Sequence, residues 1–188
     1  YPADEGAVVA LLRIAREARL AVVPFGGGTS VVGGVDARFG PDHSGVITLD
    51  TTRLDQLVSF DATSGTATFQ AGIDGPALEA ALAARGRTLG HFPQSFEQST
   101  LGGWIATRSS GQQSSAHGGI EEMLVAVRVV MPEGVLRTIA VPRSAAGPDL
   151  NALILGSEGT LGVIVEATLR TAPRPEVFDV RGMLFRDF

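Results

Sequence analysis

The sequence predicts an α+β fold arranged as two lobes. Two turn sequences, Thr63-Ser64-Gly65 and Pro132-Glu133-Gly134, each separate a pair of apolar runs, which is typical of antiparallel hairpins. Capped helical segments are inserted between the hairpins instead of alternating with single strands. The 188 residues are 44% hydrophobic and 19% charged, so the chain can bury the core that such a fold needs.

The first lobe is expected at about residues 1–52. Asp4 is placed to cap a helix over residues 4–19, because apolar residues recur there at helical spacing. Strands are predicted at Ala21–Phe25 and Val46–Asp50, on either side of a glycine-rich loop at 26–34. The family resemblance described below implies a small βαβ lobe here.

The second lobe is expected at about residues 53–172, so that residues 1–172 form one domain of two lobes. Its predicted strands are Leu54–Asp61, Thr66–Gln70, Leu124–Met131, Val135–Ile139 and Val163–Thr171. Its predicted helices are Pro76–Arg85, which follows Asp74 and precedes Gly86, then Leu101–Thr107 and Asp149–Leu155. Both ends of the sequence look trimmed. The family resemblance described below implies that residues 173–188 begin a following cap or substrate domain.

The composition excludes several classes of function. A net charge of −5 without clustered basic residues argues against nucleic-acid binding, and no apolar run has the ~18–20 residues that cross a bilayer. The chain contains no cysteine and no lysine, which removes thiolate metal sites, cysteine nucleophiles, the Walker lysine and Schiff-base chemistry. We expect a cytoplasmic protein, peripheral to a membrane at most, and the arginine bias suggests a bacterial genome.

The stretch from Pro24 to Ser30, with three consecutive glycines after a buried strand, is the first candidate site. Exposed main-chain N–H groups in such a loop can cradle phosphate oxygens without any lysine, and the hydroxyls of Thr29 and Ser30 add donors. A plain glycine-rich turn explains the same residues equally well. The dinucleotide fingerprint G-x-G-x-x-G is absent, because Val31 stands where its last glycine would be.

A second candidate stretch runs from Pro93 to Trp104 and is rich in hydroxyls and amides. These residues could supply hydrogen-bond donors to a diphosphate, or they could form a helix start capped by Ser99 or Thr100. Both interpretations can hold together, since a helix N-terminus can itself bind anions. Trp104 is expected mainly in the core. Arg108, which follows, either offsets cofactor charge or lies on the solvated surface.

A glycine-punctuated turn at Gly156–Gly162 precedes the last apolar strand. It can pass flat against a planar ligand or serve only as a tight helix-to-strand turn. His43, His91 and His117 lack metal-ligand spacing and are expected to be surface or loop residues, with His91 best placed to line a cavity. No metal site and no catalytic residue is assigned.

The four stretches in order resemble the FAD-linked oxidases of the vanillyl-alcohol oxidase and p-cresol methylhydroxylase type. The segments Gly102-Gly103-Trp104 and Thr107-Arg108 make the chain most similar to alkyldihydroxyacetonephosphate (alkylglycerone-phosphate) synthases within that group. Two residues depart from the synthase pattern. Gln94 replaces a usual aspartate and His117 a common tyrosine, which puts the polar contact of the first and the role of the second in doubt.

The resemblance implies an FAD-binding domain whose two lobes enclose the cofactor. The flavin is expected to be non-covalent. No histidine occurs between Pro24 and Gly34, so tethering from that loop is excluded, and a tether would have to come from the cap domain. The cofactor-binding residues it implies are Pro24, Phe25, Gly26, Gly27, Gly28, Thr29, Ser30, Gln94, Ser95, Phe96, Glu97, Gln98, Ser99, Thr100, Thr107, Arg108, Ser109, Ser110, Glu158, Gly159, Thr160, Leu161, Gly162, Val163 and Ile164.

The resemblance is compatible with several activities of the parent enzyme. It implies exchange of an acyl for an alkyl group on dihydroxyacetone phosphate, with a lipid-precursor substrate bound by the cap domain and a homodimeric full-length protein. An FAD-dependent D-2-hydroxyacid dehydrogenase, of the D-lactate or glycolate type, is the second reading. A cofactor-binding module without turnover is the third, and it is the expectation for the isolated chain. A glycine-rich domain that binds no cofactor is the fourth.

Overall fold

The computed structural model describes residues 1–177 and 179–187. The helices are α1 (Glu5–Glu17), α2 (Gly75–Ala83), α3 (Leu101–Thr107), α4 (Ser114–His117), α5 (Ile120–Met123) and α6 (Leu150–Ile154). The strands are β1 (Leu20–Phe25), β2 (Gly45–Asp50), β3 (Leu57–Asp61), β4 (Thr66–Gln70), β5 (Arg87–Thr88), β6 (Leu124–Met131), β7 (Gly134–Arg137), β8 (Val163–Arg170) and β9 (Ala172–Pro173). Each predicted element is present, with ends shifted by at most three residues.

The helices that the sequence predicts begin at side-chain caps. Asp4 accepts the Ala7 N–H at the start of α1, and Asp74 accepts the Ala77 N–H at the start of α2. Thr100, rather than Ser99, caps α3. Such caps satisfy amides that have no partner inside the helix, which is why these residue types mark the boundaries.

The first lobe is built on two parallel strands, with the order α1–β1–β2 instead of the expected βαβ. β1 and β2 pair in register from Leu20 with Gly45 to Phe25 with Asp50. The loop at 26–44 connects them, and α1 precedes both strands instead of crossing between them. Because the strands are parallel, the glycine loop and the residues after β2 emerge at the same edge.

The second lobe contains an antiparallel sheet in the order β3-β4-β8-β6-β7. One large core packs against it and includes Phe69, Leu78, Leu101, Trp104 and Leu169, all at most 2% exposed. Strands paired as hairpins with helices inserted between them confirm the predicted α+β class. The short pair β5–β9 brings residues 172–173 back against the strand that follows α2.

A second apolar cluster joins the two lobes. Val8 of α1 and Leu49 of β2 pack in it with Val130, Val163 and Val165 from the sheet, and each is at most 3% exposed. Glu5 adds a charged contact beside it, because its carboxylate lies 3.5 Å from Arg128 and 3.1 Å from Arg137. The position of β1, and of the glycine loop that follows it, is therefore fixed relative to the sheet.

Candidate functional site

A cavity of about 360 Å³ lies between the glycine loop and the second lobe. Its first wall is the chain from Pro24 to Val32 with Gly34, Val35 and Thr51. Its second wall is α3 with the residues before it, Ser109, and the turn that leads into β8. The volume falls within the range of about 300–1,000 Å³ that is usual for small-molecule and cofactor sites.

The glycine loop presents its main-chain donors without internal partners. Among the described residues, none of the N–H groups from Gly26 to Val35 donates a hydrogen bond to the protein. The hydroxyls of Thr29 and Ser30 also make no such bond within this part of the chain, and both residues line the cavity. A run of unpaired amides beside a cavity is the arrangement that binds phosphate oxygens.

All three glycines are required by contacts or backbone conformation within the protein. A Cβ on Gly26 would overlap the hydroxyl of Thr100, and a Cβ on Gly27 would overlap the carbonyl oxygen of Gln98. Gly28 has a φ of +67°, and its Cβ would lie 2.6 Å from the ring of Phe25. The loop is thus fitted closely against residues 98–100, which explains the absence of side chains here more directly than approach to a ligand does.

Helix α3 contributes a surface to the cavity but no free amides. Its first N–H groups are used within the protein, since Leu101 donates to the Ile73 carbonyl and Gly102 to the Ala71 carbonyl. Gly103 donates to the Thr100 hydroxyl. Of the alternatives left open for this stretch, the helix start capped by Thr100 is the one observed, and the N–H groups of residues 101–103 are already paired within the protein. What α3 offers is the small-residue face that carries Gly103, Ala106 and Thr107.

Trp104 is both a core residue and part of the cavity wall. It is 2% exposed, and its indole N–H donates to the Ser99 hydroxyl at 2.7 Å. Phe96 stacks on it at a centroid distance of 6.5 Å, and His91 meets it edge-on at 5.0 Å. This aromatic cluster holds the polar stretch at 95–100 against α3.

His91 is buried, which corrects the expectation of a surface histidine. It is 1% exposed, and Nε2 lies 3.1 Å from the hydroxyl of Ser109, a residue that lines the cavity. Burial lowers the pKa of His91 to about 4, so the ring is neutral at neutral pH. It supports the cavity wall through Ser109, while neither it nor His117 lines the cavity.

The turn before β8 is tied to the end of α3. Gly156 donates to the Ile105 carbonyl at 3.0 Å, and Glu158 donates to the Ala106 carbonyl at 2.9 Å. Arg108 strengthens this junction, because its Nε donates to the Leu155 carbonyl at 3.1 Å. The Arg108 side chain therefore hydrogen-bonds to carbonyls at the end of α6 and does not line the cavity.

The cavity brings together most of the residues that the resemblance implied. Those that line it are Pro24, Phe25, Gly26, Gly27, Gly28, Thr29, Ser30, Ser95, Ser99, Thr100, Thr107, Ser109, Glu158, Gly159, Gly162, Val163 and Ile164. Those outside its wall are Gln94, Phe96, Glu97, Gln98, Arg108, Ser110, Thr160 and Leu161. Of this second group, Phe96 stacks on Trp104, and Arg108 donates to the carbonyls of Leu155 and Ala152.

The residue list implied by the resemblance omits part of the wall, although Gly102, Gly103 and Trp104 belong to the second candidate stretch. The residues concerned are Val31, Val32, Gly34, Val35, Thr51, Gly102, Gly103, Trp104 and Ala106. Thr51 had a usable signal, because it follows β2 and ligands gather at the carboxyl ends of parallel strands. Gly103 also had one, since it lies four residues before the expected Thr107 and residues four apart share a helix face.

The charge of the wall is unusual for a site that binds anions. In the part of the chain that the structure describes, Glu158 is the one charged side chain that lines the cavity.

No group of histidine and acidic side chains in residues 1–177 and 179–187 is arranged to hold a metal ion. Within the same residues, no helix combines the length and hydropathy that crossing a membrane requires.

Comparison with known proteins agrees with this geometry. Residues 1–140 match the family described as FAD binding domain. An alkyldihydroxyacetonephosphate synthase of Trypanosoma brucei brucei is 42% identical over 187 residues, covering 100% of this chain and 30% of the relative. A mitochondrial D-lactate dehydrogenase (cytochrome) of Saccharomyces cerevisiae is 34% identical over 189 residues, covering 98% of this chain and 31% of the relative.

A solved structure of an alkyldihydroxyacetonephosphate synthase superimposes with a TM-score of 0.86 at 40% identity. It covers 94% of this chain, and the chain covers 31% of that protein. The chain thus spans less than a third of the length of these relatives. The family match, the relatives and the shared fold together show that this chain belongs to the FAD-binding domain family of flavoenzymes and that FAD is its cofactor.

Proposed function

We propose that this chain holds FAD non-covalently between its two lobes, as the cofactor-binding unit of an alkyldihydroxyacetonephosphate synthase-like enzyme. The observation that carries the proposal is the run of unpaired amides from Gly26 to Val35 along a cavity large enough for a cofactor. When bound, the flavin supplies the reactive ring, while the chain binds and orients it.

Residues on the two walls hold different parts of the cofactor. The amides of Gly26–Ser30 and the hydroxyls of Thr29 and Ser30 bind the diphosphate, since they are the unpaired donors of the first wall. The turn Glu158–Ile164 and the face of α3 support the remainder of the molecule. Among the described residues, no histidine lines the cavity, which favours a flavin without a covalent tether.

The synthase-like reading of the parent protein rests on similarity along the whole chain. Identity to the trypanosome synthase is 42%, against 34% for the yeast D-lactate dehydrogenase. The parent's reaction would then be exchange of an acyl for an alkyl group on dihydroxyacetone phosphate, a step of lipid biosynthesis. We assign residues 1–172 to FAD binding and residues 173–188 to the approach to a substrate domain. The absence of cysteine fits a reducing compartment such as the cytoplasm.

The cofactor assignment is tested by spectroscopy. The purified, unboiled chain is examined for flavin absorbance, then titrated with FAD while quenching of flavin fluorescence is followed. We expect saturable binding by a folded chain and release of unmodified FAD on denaturation. A folded chain that does not bind FAD refutes the proposal, and flavin that stays attached after denaturation refutes non-covalent binding.

The reaction is tested in the longer protein that carries this domain. It is assayed for exchange of a labelled fatty alcohol into acyl-dihydroxyacetone phosphate, and separately for dye reduction with D-lactate. We expect exchange without dye reduction, and no turnover of either kind by the 188-residue chain. Brisk D-lactate-dependent dye reduction would instead establish the hydroxyacid dehydrogenase reading.

A further inference from the structure

Gly103 in α3 is a glycine that the packing of the chain does not require. Among the described residues, a Cβ on it would meet one atom of another element or cap, the Thr100 hydroxyl oxygen at 3.4 Å, which is an ordinary van der Waals distance. Its backbone is helical, without the positive φ that favours glycine. The neighbouring Gly102 differs, because its Cβ would approach Ala71 to 3.0 Å.

Glycine at this position lowers the stability of the helix. Gly103 lies in the first turn of α3, and its N–H is paired with the capping hydroxyl of Thr100. Alanine has a higher helix propensity than glycine, because glycine loses more backbone freedom on folding. Since there is room for a methyl group, alanine would stabilise α3. The missing side chain therefore indicates a requirement that comes from something the protein binds.

The open side of Gly103 faces the cavity. The residue is part of the cavity wall, together with Ala106 and Thr107 of the same helix. Its N–H donates to Thr100, and its carbonyl accepts from the Thr107 hydroxyl at 2.9 Å, so both of its main-chain polar groups are already used. What Gly103 provides to a ligand is space above its Cα.

Thr100 places this space beside the start of the glycine loop. The Thr100 hydroxyl oxygen lies 3.4 Å from the Cβ position of Gly103, and it would overlap a Cβ on Gly26. The unpaired amides of the loop begin at Gly26. A ligand held by those amides therefore passes next to α3, and a methyl group at position 103 would occupy part of the room between the helix and the loop.

We infer that Gly103 is a specificity-determining residue whose missing side chain lets the dinucleotide lie directly on the backbone of α3. The inference rests on the proposed FAD site and deepens it. Selection at this point is by shape, because Gly103 excludes nothing that the loop holds, whereas any side chain there reduces the room for the ligand. The glycine thus lowers the stability of the helix while it raises the affinity for the cofactor.

The test compares thermal unfolding with FAD titration in two helix glycines. Gly6→Ala is the matched control for Gly103→Ala. Gly6 lies in the first turn of α1, its Cβ position is 3.3 Å from the capping oxygen of Asp4, and it does not line the cavity. We expect the thermal midpoint to rise by about 1–4 °C in both variants. FAD affinity should fall at least about fivefold in Gly103→Ala and stay at the wild-type value in Gly6→Ala.

Gly103→Ser distinguishes a steric role from a polar one. Serine adds a hydroxyl as well as volume, so this variant should bind FAD no more tightly than Gly103→Ala does. Equal FAD affinity in Gly103→Ala and Gly6→Ala would overturn the inference, and so would wild-type affinity in Gly103→Ser.

Thermal unfolding distinguishes the inference from a requirement of the fold. A lowered midpoint in Gly103→Ala would show that the fold itself needs the glycine, which also contradicts the inference. Failure of folded wild type to bind FAD is a different result, because it refutes the FAD site and the role of Gly103 with it.

Discussion

Replacing Gly27 with alanine tests the fit between the glycine loop and the polar stretch behind it. The added methyl would overlap the carbonyl oxygen of Gln98 and approach the Cα of Ser99 to 3.0 Å. Both are main-chain atoms, so no side-chain rotation can relieve the overlap and the loop itself has to move. Overpacking of this kind costs about 1–3 kcal/mol. If the displaced amides no longer fit the diphosphate, FAD affinity should fall about five- to 150-fold.

The measurement is FAD titration beside thermal unfolding, with Gly40→Ala as the control. Gly40 lies in the same loop, and a Cβ there would meet nothing within 4 Å. Because the overlap strains the folded state, the thermal midpoint of Gly27→Ala should also fall, by roughly 2–4 °C for each kcal/mol, while Gly40→Ala keeps the wild-type midpoint. Equal FAD affinity in Gly27→Ala and Gly40→Ala would show that the loop's close packing does not position its amides.

Three further predictions follow from neighbouring contacts. The Cβ added in Gly26→Ala would clash with the side chain of Thr100, so the loss of FAD affinity should be smaller in a Thr100→Ala background. Strictly additive effects in this double-mutant cycle would contradict the contact. Ser99→Ala leaves the buried indole N–H of Trp104 without its partner, and urea unfolding should show a loss of about 1–3 kcal/mol; an unchanged midpoint would count against that bond. His91 has a folded pKa of about 4 against 6.5 when unfolded, so the stability it contributes is complete above pH 6.5 and is lost as pH falls toward 4. Between pH 7.5 and 5 wild type should lose about 2 kcal/mol that His91→Gln keeps, and identical pH profiles would refute a neutral buried histidine.

Local patterns were sufficient to predict the main elements of the fold. Asp4, Asp74 and Thr100 mark helix starts by the hydrogen bonds that their side chains make, and these depend only on nearby residues. The two hairpins are similarly encoded by their turns. The order of strands in the sheet, where β8 lies between β4 and β6, depends on contacts between distant residues that no local pattern reveals.

The site was predictable where its residues are consecutive and harder to predict where tertiary contact assembles it. The loop from Pro24 to Ser30 lines the cavity throughout, as its glycine run suggested. Arg108 faces α6 because its left-handed backbone, at a φ of +51°, turns the chain away at the end of α3. His91 is buried because Trp104 and Ser109 converge on it from α3 and the loop beyond, at separations that sequence spacing does not encode.

The apolar cluster that joins the lobes limits how a cofactor can enter and leave. Swinging the lobes apart would expose Val8, Leu49 and Val163 to water, at about 1.5–3 kcal/mol for each side chain. Deforming the solvent-exposed segment 31–34 exposes no such surface, because its two valines, Val31 and Val32, are already 95% and 68% exposed. The dinucleotide should therefore enter and leave by displacement of this loop segment while the two lobes stay in place. The exchange rate is then set by the conformational flexibility of the loop.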